Sequence, residues 1–417
     1  MDRYRAEVDP IVVGRAEGPF LFDVDGQRYI DANASWWVAS LGHNHPRLVE
    51  ALVRQARRNC HSALAGMTHA PAAELAEALC EVAPAGLEHV FYSDDGSTAV
   101  EVGLKVALQF WAQSGRPERH RFVSLEGAFH GETLGATGVG GVELFRRPFA
   151  GALPEHWFVP SPAAGAGEAL AALEATLEGH ASEVAALIVE PMVQGASGMR
   201  IYDVSFLRGA RELCDRHDVL LIADEVFTGY GRTGPMWAVD HAGVAPDVLC
   251  TAKGLSGGAL PMAATLMTDR IQGAFLGSDD RAFYYGHSFC GNPLGAAVAL
   301  EVLRVYEDEA ILERARGKAE RIAGAVGELA GLPGVASGRA LGMIGAVDLC
   351  GDRDYLARGG WRVYDEARKR GAYLRPMGNV VYVAPPLNIP DDVLGELLEI
   401  LRDSVRAVTE GQGGRES

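Results

Sequence analysis

Lysine is scarce in this chain of 417 residues, where it contributes four of the 38 lysines and arginines. The four are Lys105, Lys253, Lys318 and Lys369. Three of them, at positions 105, 318 and 369, lie in charge-rich helical patterns, and we expect these side chains to be solvated. A reaction that needs a lysine amine therefore has few candidates.

Positive charge is also in short supply. The 38 basic residues face 55 acidic ones, so the net charge is 38 − 55 = −17, and the isoelectric point is near 5.2. Such a chain lacks the basic surface expected of a nucleic-acid-binding protein. No run approaches the roughly 20 apolar residues of a membrane-spanning helix, and no apolar stretch follows the charges of residues 1–7. We therefore expect neither a membrane span nor a signal peptide, and a cytoplasmic location.

Paired cysteines are absent, since the six cysteines are scattered with no C-x-x-C spacing. This argues against a disulfide framework and against a zinc cluster, and we expect single, packed cysteines. The pattern His43-Asn44-His45 could ligate zinc on a strand. His45 precedes Pro46, which is typical of a turn, and no carboxylate cluster accompanies the pair. We predict no metal, and a metal enzyme stays an alternative.

Short, almost continuously apolar runs alternate with helical patterns through the middle of the chain. Such runs are typical of strands buried on both faces of a parallel sheet, and segments such as 205–215 are long enough for crossover helices. The predicted strands are 90–93, 121–125, 184–189, 219–223, 248–251 and 262–267. The pattern predicts an α/β fold with a mostly parallel sheet.

The two ends of the chain predict a second, smaller α+β unit. A long helical stretch covers residues 293–330. Beyond it, the predicted strands and helices are 341–349, 361–370, 373–375, 380–384 and 391–408. The hairpin-like residues 21–29 are expected to join this unit. We predict a large domain over residues 47–300 and a small domain formed by 1–46 and 301–417.

Several residues that follow predicted strands stand out, because such sheets bind ligands at the carboxyl ends of their strands. Gly96 and Ser97 open a helix whose N-terminus suits a phosphate, although an ordinary N-cap at Ser97 or Thr98 would give the same pattern. Asp224 ends a buried strand, where a carboxylate needs a partner. That partner is either a cationic ring nitrogen or a structural cap or ion pair. Lys253 also ends a strand and precedes glycines, so it is the best Schiff-base candidate.

Together these features outline a site for pyridoxal 5'-phosphate. The cofactor needs a lysine for covalent attachment, an acidic partner for its pyridinium nitrogen and a cup for its phosphate. Lys253 follows Asp224 by 29 residues (253 − 224). An acidic partner keeps the ring nitrogen protonated, so the ring can accept electrons when a bond to the substrate Cα breaks. The residues therefore predict an enzyme that uses this cofactor.

The residues around Asp224 and Lys253 resemble the signature of the class III aminotransferases, and the resemblance covers nearly the whole chain. The matching segments are LIADEVFTGYGRTG at 221–234, Pro246-Asp247, and TAKGLSGG at 251–258. The resemblance implies fold-type I, with a mostly parallel seven-stranded sheet in the large domain. It also implies a pyridoxal-phosphate-dependent enzyme that is usually a homodimer.

The resemblance assigns roles to individual residues. Lys253 attaches the cofactor, Asp224 holds the pyridinium nitrogen, and Val226 packs on one face of the ring. The other residues assigned to the cofactor are Gly96, Ser97, Phe129, His130, Glu190 and Ser288. Ser288 matches the residue that reaches the phosphate from the partner subunit, so the resemblance implies a site shared across the homodimer.

Within the class, four stretches are similar to the adenosylmethionine-8-amino-7-oxononanoate aminotransferases of biotin synthesis. They are residues 34–37, 95–102, 190–200 and 374–382. That subgroup uses S-adenosylmethionine as its amino donor. The resemblance implies that Arg375 grips a substrate carboxylate, that Trp36 lines the substrate channel, and that Tyr382 belongs to the substrate site.

Departures from the subgroup concentrate in the substrate wall and near the phosphate. Residues 129–132 read Phe-His-Gly-Glu in place of Tyr-His-Gly-Asp, so Phe129 can stack on the cofactor but cannot hydrogen-bond a substrate. The subgroup's His-Pro-Tyr segment has no counterpart before Pro10. Residues 138–145 replace its Asp-Pro…Met-His-Ser-Leu loop, and residues 286–289 replace Gly-Pro-Thr-Phe.

Three alternatives stay open beside the aminotransferase reading. The enzyme could eliminate methylthioadenosine from the γ-carbon of S-adenosylmethionine and form a carbon–carbon bond with an electrophile such as a nicotinamide nucleotide. It could be an ω-amino acid aminotransferase. A non-catalytic binding protein on the same fold would carry no cofactor and would be colourless when purified.

Overall fold

The computed structural model describes residues 10–351 and 354–410. The expected absence of a signal peptide at residues 1–7 lies outside the described residues, as does the segment before Pro10 that was compared with His-Pro-Tyr.

The strands are β1 (Val13–Glu17), β2 (Phe20–Asp23), β3 (Arg28–Asp31), β4 (Leu87–Ser93), β5 (Arg121–Leu125), β6 (Trp157–Val159), β7 (Val184–Val189), β8 (Val193–Gln194), β9 (Arg200–Ile201), β10 (Leu220–Asp224), β11 (Val248–Thr251), β12 (Ala263–Thr268), β13 (Val335–Leu341), β14 (Ile344–Leu349), β15 (Ala372–Tyr373) and β16 (Val380–Val383).

Helices connect these strands and cover the sheets. The α-helices are α1 (Pro46–Arg58), α2 (Ala70–Val82), α3 (Gly96–Gln113), α4 (Leu134–Val139), α5 (Glu143–Arg146), α6 (Ala166–His180), α7 (Ser205–His217), α8 (Asp269–Gly273), α9 (Pro293–Asp308), α10 (Ile311–Ala330), α11 (Gly359–Lys369) and α12 (Asp391–Glu410). Short 3₁₀ helices cover Arg147–Ala152, Ala238–His241, Lys253–Ser256 and Asp279–Arg281. Residues 34–37 form a separate left-handed turn.

The central sheet has seven strands in the order β4-β12-β11-β10-β7-β5-β6. Strands β11, β10, β7, β5 and β6 are parallel, and β12 runs antiparallel to both of its neighbours, β11 and β4. The predicted mostly parallel seven-stranded sheet is therefore confirmed. Strands β5, β7 and β11 have the predicted bounds.

Burial on both faces explains the continuous apolar runs. All six residues of β7 are buried, and they pack on both sides of the sheet. Leu187 shares a cluster with Phe206 of α7, whereas Ile188 shares one with Val102 of α3. Because each face meets a helix, neither set of side chains can be polar.

Strands from both ends of the chain share one sheet. Strands β1, β2 and β3 form a sheet with the C-terminal β15, where Ile30 pairs with Ala372. A second sheet has the order β13-β14-β16. The predicted boundary between residues 300 and 301 falls inside α9, and the division into domains stays a prediction.

Three local expectations are wrong. The helical stretch 293–330 is divided into α9 and α10 because Ala310 adopts a left-handed backbone with φ +48°, which a right-handed helix cannot continue. The predicted strand 341–349 is correct for β14 but wrong at its start, where Leu341 ends β13 and the chain turns at Gly342. Lys318, expected to be solvated, is 5% exposed and donates a hydrogen bond to the Leu387 carbonyl at 3.1 Å.

Candidate active site

The strand-end residues selected from the sequence meet in one cavity of about 290 Å³. It lies at the carboxyl ends of β4, β10 and β11, as expected for an α/β sheet. The predicted cofactor residues that line it are Gly96, Ser97, Phe129, His130, Glu190, Asp224, Val226 and Lys253. These residues come from segments that are far apart in the sequence, and the fold brings them together.

Lys253 begins a short 3₁₀ helix directly after β11 and Ala252, with φ +42°. Its Nζ lies 5.2 Å from the ring centroid of Trp37. Burial lowers the pKa of Lys253, while the carboxylates of Asp224 and Glu190 act in the opposite direction. A lowered pKa increases the fraction of neutral amine, the form that attacks a carbonyl to make a Schiff base.

Asp224 is held in place by two neighbours. Its Oδ2 lies 2.7 Å from Nδ1 of His130, and its Oδ1 accepts a hydrogen bond from the Val226 backbone N–H at 3.1 Å. The other nitrogen of His130, Nε2, is buried without a hydrogen-bond partner among the described residues. The arrangement leaves an oriented carboxylate in the cavity wall, which fits a cationic ring nitrogen.

The N-terminus of α3 fits a phosphate. Asp95 is the N-cap, since its Oδ1 accepts from the Thr98 N–H at 3.0 Å and its own N–H donates to Thr98 Oγ1 at 3.1 Å. An N-cap at Ser97 or Thr98 is therefore wrong. The first N–H groups of a helix, here those of Gly96 and Ser97, have no partner within the helix. A Cβ at position 96 would lie 2.6 Å from Val226 Cγ1, so the close approach requires glycine.

Glu190 fixes the segment that carries the Phe129 ring. Its Oε2 accepts from the Phe129 N–H at 2.9 Å and its Oε1 accepts from the Gly195 N–H at 2.9 Å. Burial raises the pKa of Glu190, His130 lowers it and Asp224 raises it, and the net pKa is about 7. Glu190 therefore orders the cavity wall, and its burial favours the protonated carboxyl.

The predicted substrate residues lie beside the cavity and not among the residues that line it. Trp36 is 57% exposed, and the Arg375 guanidinium lies 4.2 Å from the centroid of its ring. Tyr382 is buried, and its hydroxyl accepts a hydrogen bond from Trp37 Nε1 at 3.2 Å. Ser288 is exposed and does not line the cavity of its own chain.

A family model described as aminotransferase class III matches residues 3–405. This chain belongs to the class III aminotransferases. The family identified from the sequence and the prediction of an aminotransferase-family enzyme are thereby confirmed.

Relatives and solved structures agree with this assignment. The chain is 44% identical to the adenosylmethionine-8-amino-7-oxononanoate aminotransferase of Geobacter sulfurreducens, over 97% of this chain and 94% of the relative. The crystal structure of the enzyme of that name from Methanocaldococcus jannaschii superposes with a TM-score of 0.94 at 35% identity, covering 97% and 95% of the two chains. A PLP-bound amine transaminase from an uncultivated Pseudomonas species gives 0.91 at 33% identity, covering 97% of each chain.

Sequence reasoning missed several aromatic residues of this class III aminotransferase. Trp37 and Phe227 line the cavity with ring centroids 4.4 Å apart. Outside it, the Phe145 ring packs against Phe129 at 5.6 Å and against Tyr355 at 5.4 Å. The position of Trp37 beside Trp36 was an available signal. Tyr355 lies in an irregular segment without periodicity, so no local pattern pointed to it.

Neither the His43 and His45 pair nor the cysteines form a metal site in the described residues. His43 Nε2 lies 2.9 Å from Asp31 Oδ2, and His45 Nε2 lies 3.4 Å from Glu309 Oε1. Across residues 10–351 and 354–410, no group of three or more His, Cys, Asp or Glu side chains is arranged to hold a metal ion. All six cysteines are free, and the expectation that they are packed is wrong for the two that are exposed, at positions 60 and 350.

In the part of the chain that the structure describes, no helix has both the length and the apolar character needed to cross a membrane.

Proposed function

We propose that this class III aminotransferase binds pyridoxal 5'-phosphate through Lys253 and transfers the amino group of S-adenosylmethionine to 8-amino-7-oxononanoate. The cofactor proposal is carried by one observation: a lysine of lowered pKa, an oriented carboxylate and a helix N-terminus line the same cavity. The substrate proposal is supported by the names of the relatives, which cover nearly the whole chain.

Different residues of the cavity would bind different groups of this cofactor. When bound, pyridoxal phosphate supplies an electron sink for bonds at the substrate Cα. Asp224, oriented by His130, would hold the ring nitrogen, and the N–H groups of Gly96 and Ser97 would hold the phosphate. Lys253 would first hold the cofactor and then, as a free amine beside the Cα, move its proton.

Arg375 is proposed to bind the carboxylate of the amino donor. Arg375 is partly buried and its Cζ lies over the Trp36 ring, 4.2 Å from the centroid, so the orientation of the planar fork is already restricted. Arginine binds a carboxylate through two parallel hydrogen bonds, which a lysine cannot reproduce.

We also propose a homodimer in which Ser288 completes the phosphate site of the partner subunit. Ser288 lies outside its own cavity, on a segment that exposes the rings of Tyr284 and Phe289. Exposed aromatic rings that lie close together in the chain are typical of a surface that a second chain covers. A cytoplasmic location stays a prediction from the sequence.

Spectral titration of the purified holoenzyme with S-adenosylmethionine tests the donor. Conversion of the lysine-bound cofactor absorbance into that of the pyridoxamine form supports it, and addition of 8-amino-7-oxononanoate should then reverse the change. No spectral response would contradict S-adenosylmethionine as donor. It would favour an ω-amino donor, in line with the structural similarity to an amine transaminase.

The wall around Phe129 supports one second candidate. Phe129 offers no hydroxyl to a substrate, and its ring packs against Phe145 in an apolar wall. Such a wall is compatible with a bulkier electrophile as second substrate and with loss of methylthioadenosine. In that loss a proton would leave Cβ, its C–H electron pair would form a Cβ–Cγ double bond, and the Cγ–S bond would break with sulfur keeping its electron pair. Product analysis separates the two reactions. Methylthioadenosine without the pyridoxamine form indicates elimination, whereas the pyridoxamine form with the deaminated keto product indicates transamination.

A further inference from the structure

The turn at residues 34–37 is unusual, because four consecutive non-glycine residues have left-handed backbones. The φ angles are +45° at Ala34, +47° at Ser35, +63° at Trp36 and +75° at Trp37. A left-handed conformation costs roughly 1–2 kcal/mol for each residue with a Cβ. Such a turn persists only where its surroundings hold it in place.

Asp31 and Asn33 precede this turn and form hydrogen bonds with its backbone. Both residues are fully buried. Asp31 Oδ2 accepts a hydrogen bond from the Ser35 N–H at 2.7 Å, and Asp31 Oδ1 accepts one from the Asn33 N–H at 3.2 Å. The Asn33 carbonyl accepts from the Trp37 N–H at 2.8 Å. The backbone of Asn33 is thus a fixed part of the turn.

The side chain of Asn33 forms hydrogen bonds with the backbone of two C-terminal segments. Its Oδ1 accepts a hydrogen bond from the Arg375 backbone N–H at 2.7 Å. Its Nδ2 donates to the Tyr382 carbonyl at 3.3 Å. One amide group therefore connects the turn that carries Trp36 with the backbone that carries Arg375, whose guanidinium lies 4.2 Å from the centre of the Trp36 ring.

We propose that Asn33 is a positioning residue for substrate specificity: it sets Arg375 against Trp36 so that the guanidinium faces the carboxylate of the amino donor. The proposal rests on the proposed role of Arg375 in carboxylate binding. Removal of the amide would leave the Arg375 N–H and the Tyr382 carbonyl without these partners, and a small shift of the guanidinium would misalign its two hydrogen bonds. The cavity residues around Lys253 have no hydrogen bond to the Asn33 side chain and would keep their positions.

The test compares two amines that differ only in the carboxylate. They are S-adenosylmethionine and its decarboxylated form, S-adenosyl-3-methylthiopropylamine. In Asn33→Ala holoenzyme, we expect the dissociation constant of S-adenosylmethionine to rise about tenfold. The dissociation constant of the decarboxylated amine should change less than about twofold. The absorbance spectrum of the bound cofactor in Asn33→Ala should equal that of the wild type. Binding of each is measured by spectral titration.

Asn388→Ala is the matched control. Asn388 also connects separate segments, since its Nδ2 donates to the Leu41 carbonyl at 2.9 Å, and this hydrogen bond involves neither Arg375 nor Trp36. We expect it to lose stability without any change in selectivity between the two amines. A second variant, Asn33→Asp, keeps an oxygen acceptor for the Arg375 N–H and should retain more selectivity than Asn33→Ala.

Equal weakening of both amines in Asn33→Ala, or no weakening of either, would overturn the positioning role. A wild-type holoenzyme that does not respond to S-adenosylmethionine would instead contradict the proposed donor. L-alanine and ethylamine then replace the pair, and the same comparison of an amine with and without a carboxylate decides the role of Asn33.

Discussion

His130 Nδ1 lies 2.7 Å from Asp224 Oδ2, and both side chains are almost fully buried. The next carboxylate in the chain is oriented differently. Glu225 accepts from Thr228 Oγ1 at 2.5 Å and from the Val239 N–H at 2.9 Å, and it does not line the cavity. Two adjacent carboxylates at the end of one strand therefore have different surroundings, which makes them a natural pair for mutagenesis.

Asp224→Ala should retain the cofactor weakly and lose turnover by about 100-fold or more, because the ring nitrogen would lose the charge that keeps it protonated. The measurements are bound cofactor by absorbance and turnover with S-adenosylmethionine. Glu225→Gln is the control and should keep both. Full turnover in Asp224→Ala would rule out its proposed role.

Lys253→Ala should lose the absorbance of the lysine-bound cofactor and all turnover. Reduction of the wild-type enzyme with borohydride, followed by peptide mapping, should place the cofactor on Lys253. Lys105→Ala is the control, since Lys105 is exposed and its Nζ lies 4.5 Å from the Tyr285 ring centre. A cofactor trapped on Lys105 would contradict the assignment.

Arg375→Lys should weaken S-adenosylmethionine binding about 10- to 100-fold, because a hydrogen bond to a charged group contributes roughly 1.5–3 kcal/mol and the second arm of the fork is lost. The decarboxylated amine should bind as before. Arg321→Lys, at an exposed ion pair with Asp391, serves as control. Unchanged affinity in Arg375→Lys would place the carboxylate site elsewhere.

The contribution of Glu225 to the stability of the cofactor-free protein should fall as pH rises. Burial raises the pKa of Glu225 from 4.5 to about 7. The folded protein therefore binds this proton more tightly than the unfolded chain does. Its stabilising contribution is complete below pH 4.5 and is lost as pH rises to about 7. The difference corresponds to about 3 kcal/mol.

Glu225→Gln should remove this contribution, because a neutral amide does not titrate. Urea unfolding of wild type and variant at about pH 4 and pH 8 gives the two free energies of unfolding, and their difference should favour the variant only at the higher pH. Because Glu190 titrates in both proteins, comparing them isolates Glu225. A pH-independent difference would contradict the prediction.

Mixed dimers test the shared site. Ser288→Asp and Lys253→Ala homodimers should both be inactive, the first because a carboxylate would repel the partner's phosphate. A mixed dimer has one site with both residues intact, so random mixing should restore about a quarter of wild-type activity. Light scattering checks the assembly. No restoration, or an active monomer, would contradict a shared site.

Local sequence predicted six of the seven strands of the central sheet, all but β6, and the outline of the site. Strands β5, β7 and β11 could be predicted to the residue, because each is a short, mainly apolar run, as expected of strands whose two faces are buried. Asp224 and Lys253 could be selected because a charged side chain at the end of such a strand needs a partner or a function. Both arguments need only residues that are neighbours in the chain.

Tertiary structure alone decided what these residues contact. His130 reaches Asp224 across 94 positions, and Asn33 reaches Arg375 across 342. Lys318 is buried although its helix is charged, because the Leu387 carbonyl, 69 positions away, accepts its hydrogen bond. Neither the helix break at Ala310 nor the left-handed turn at residues 34–37 contains a glycine that would have predicted its left-handed backbone. Such conformations are unfavourable locally and are stabilised by distant segments, so no local pattern of residues could reveal them.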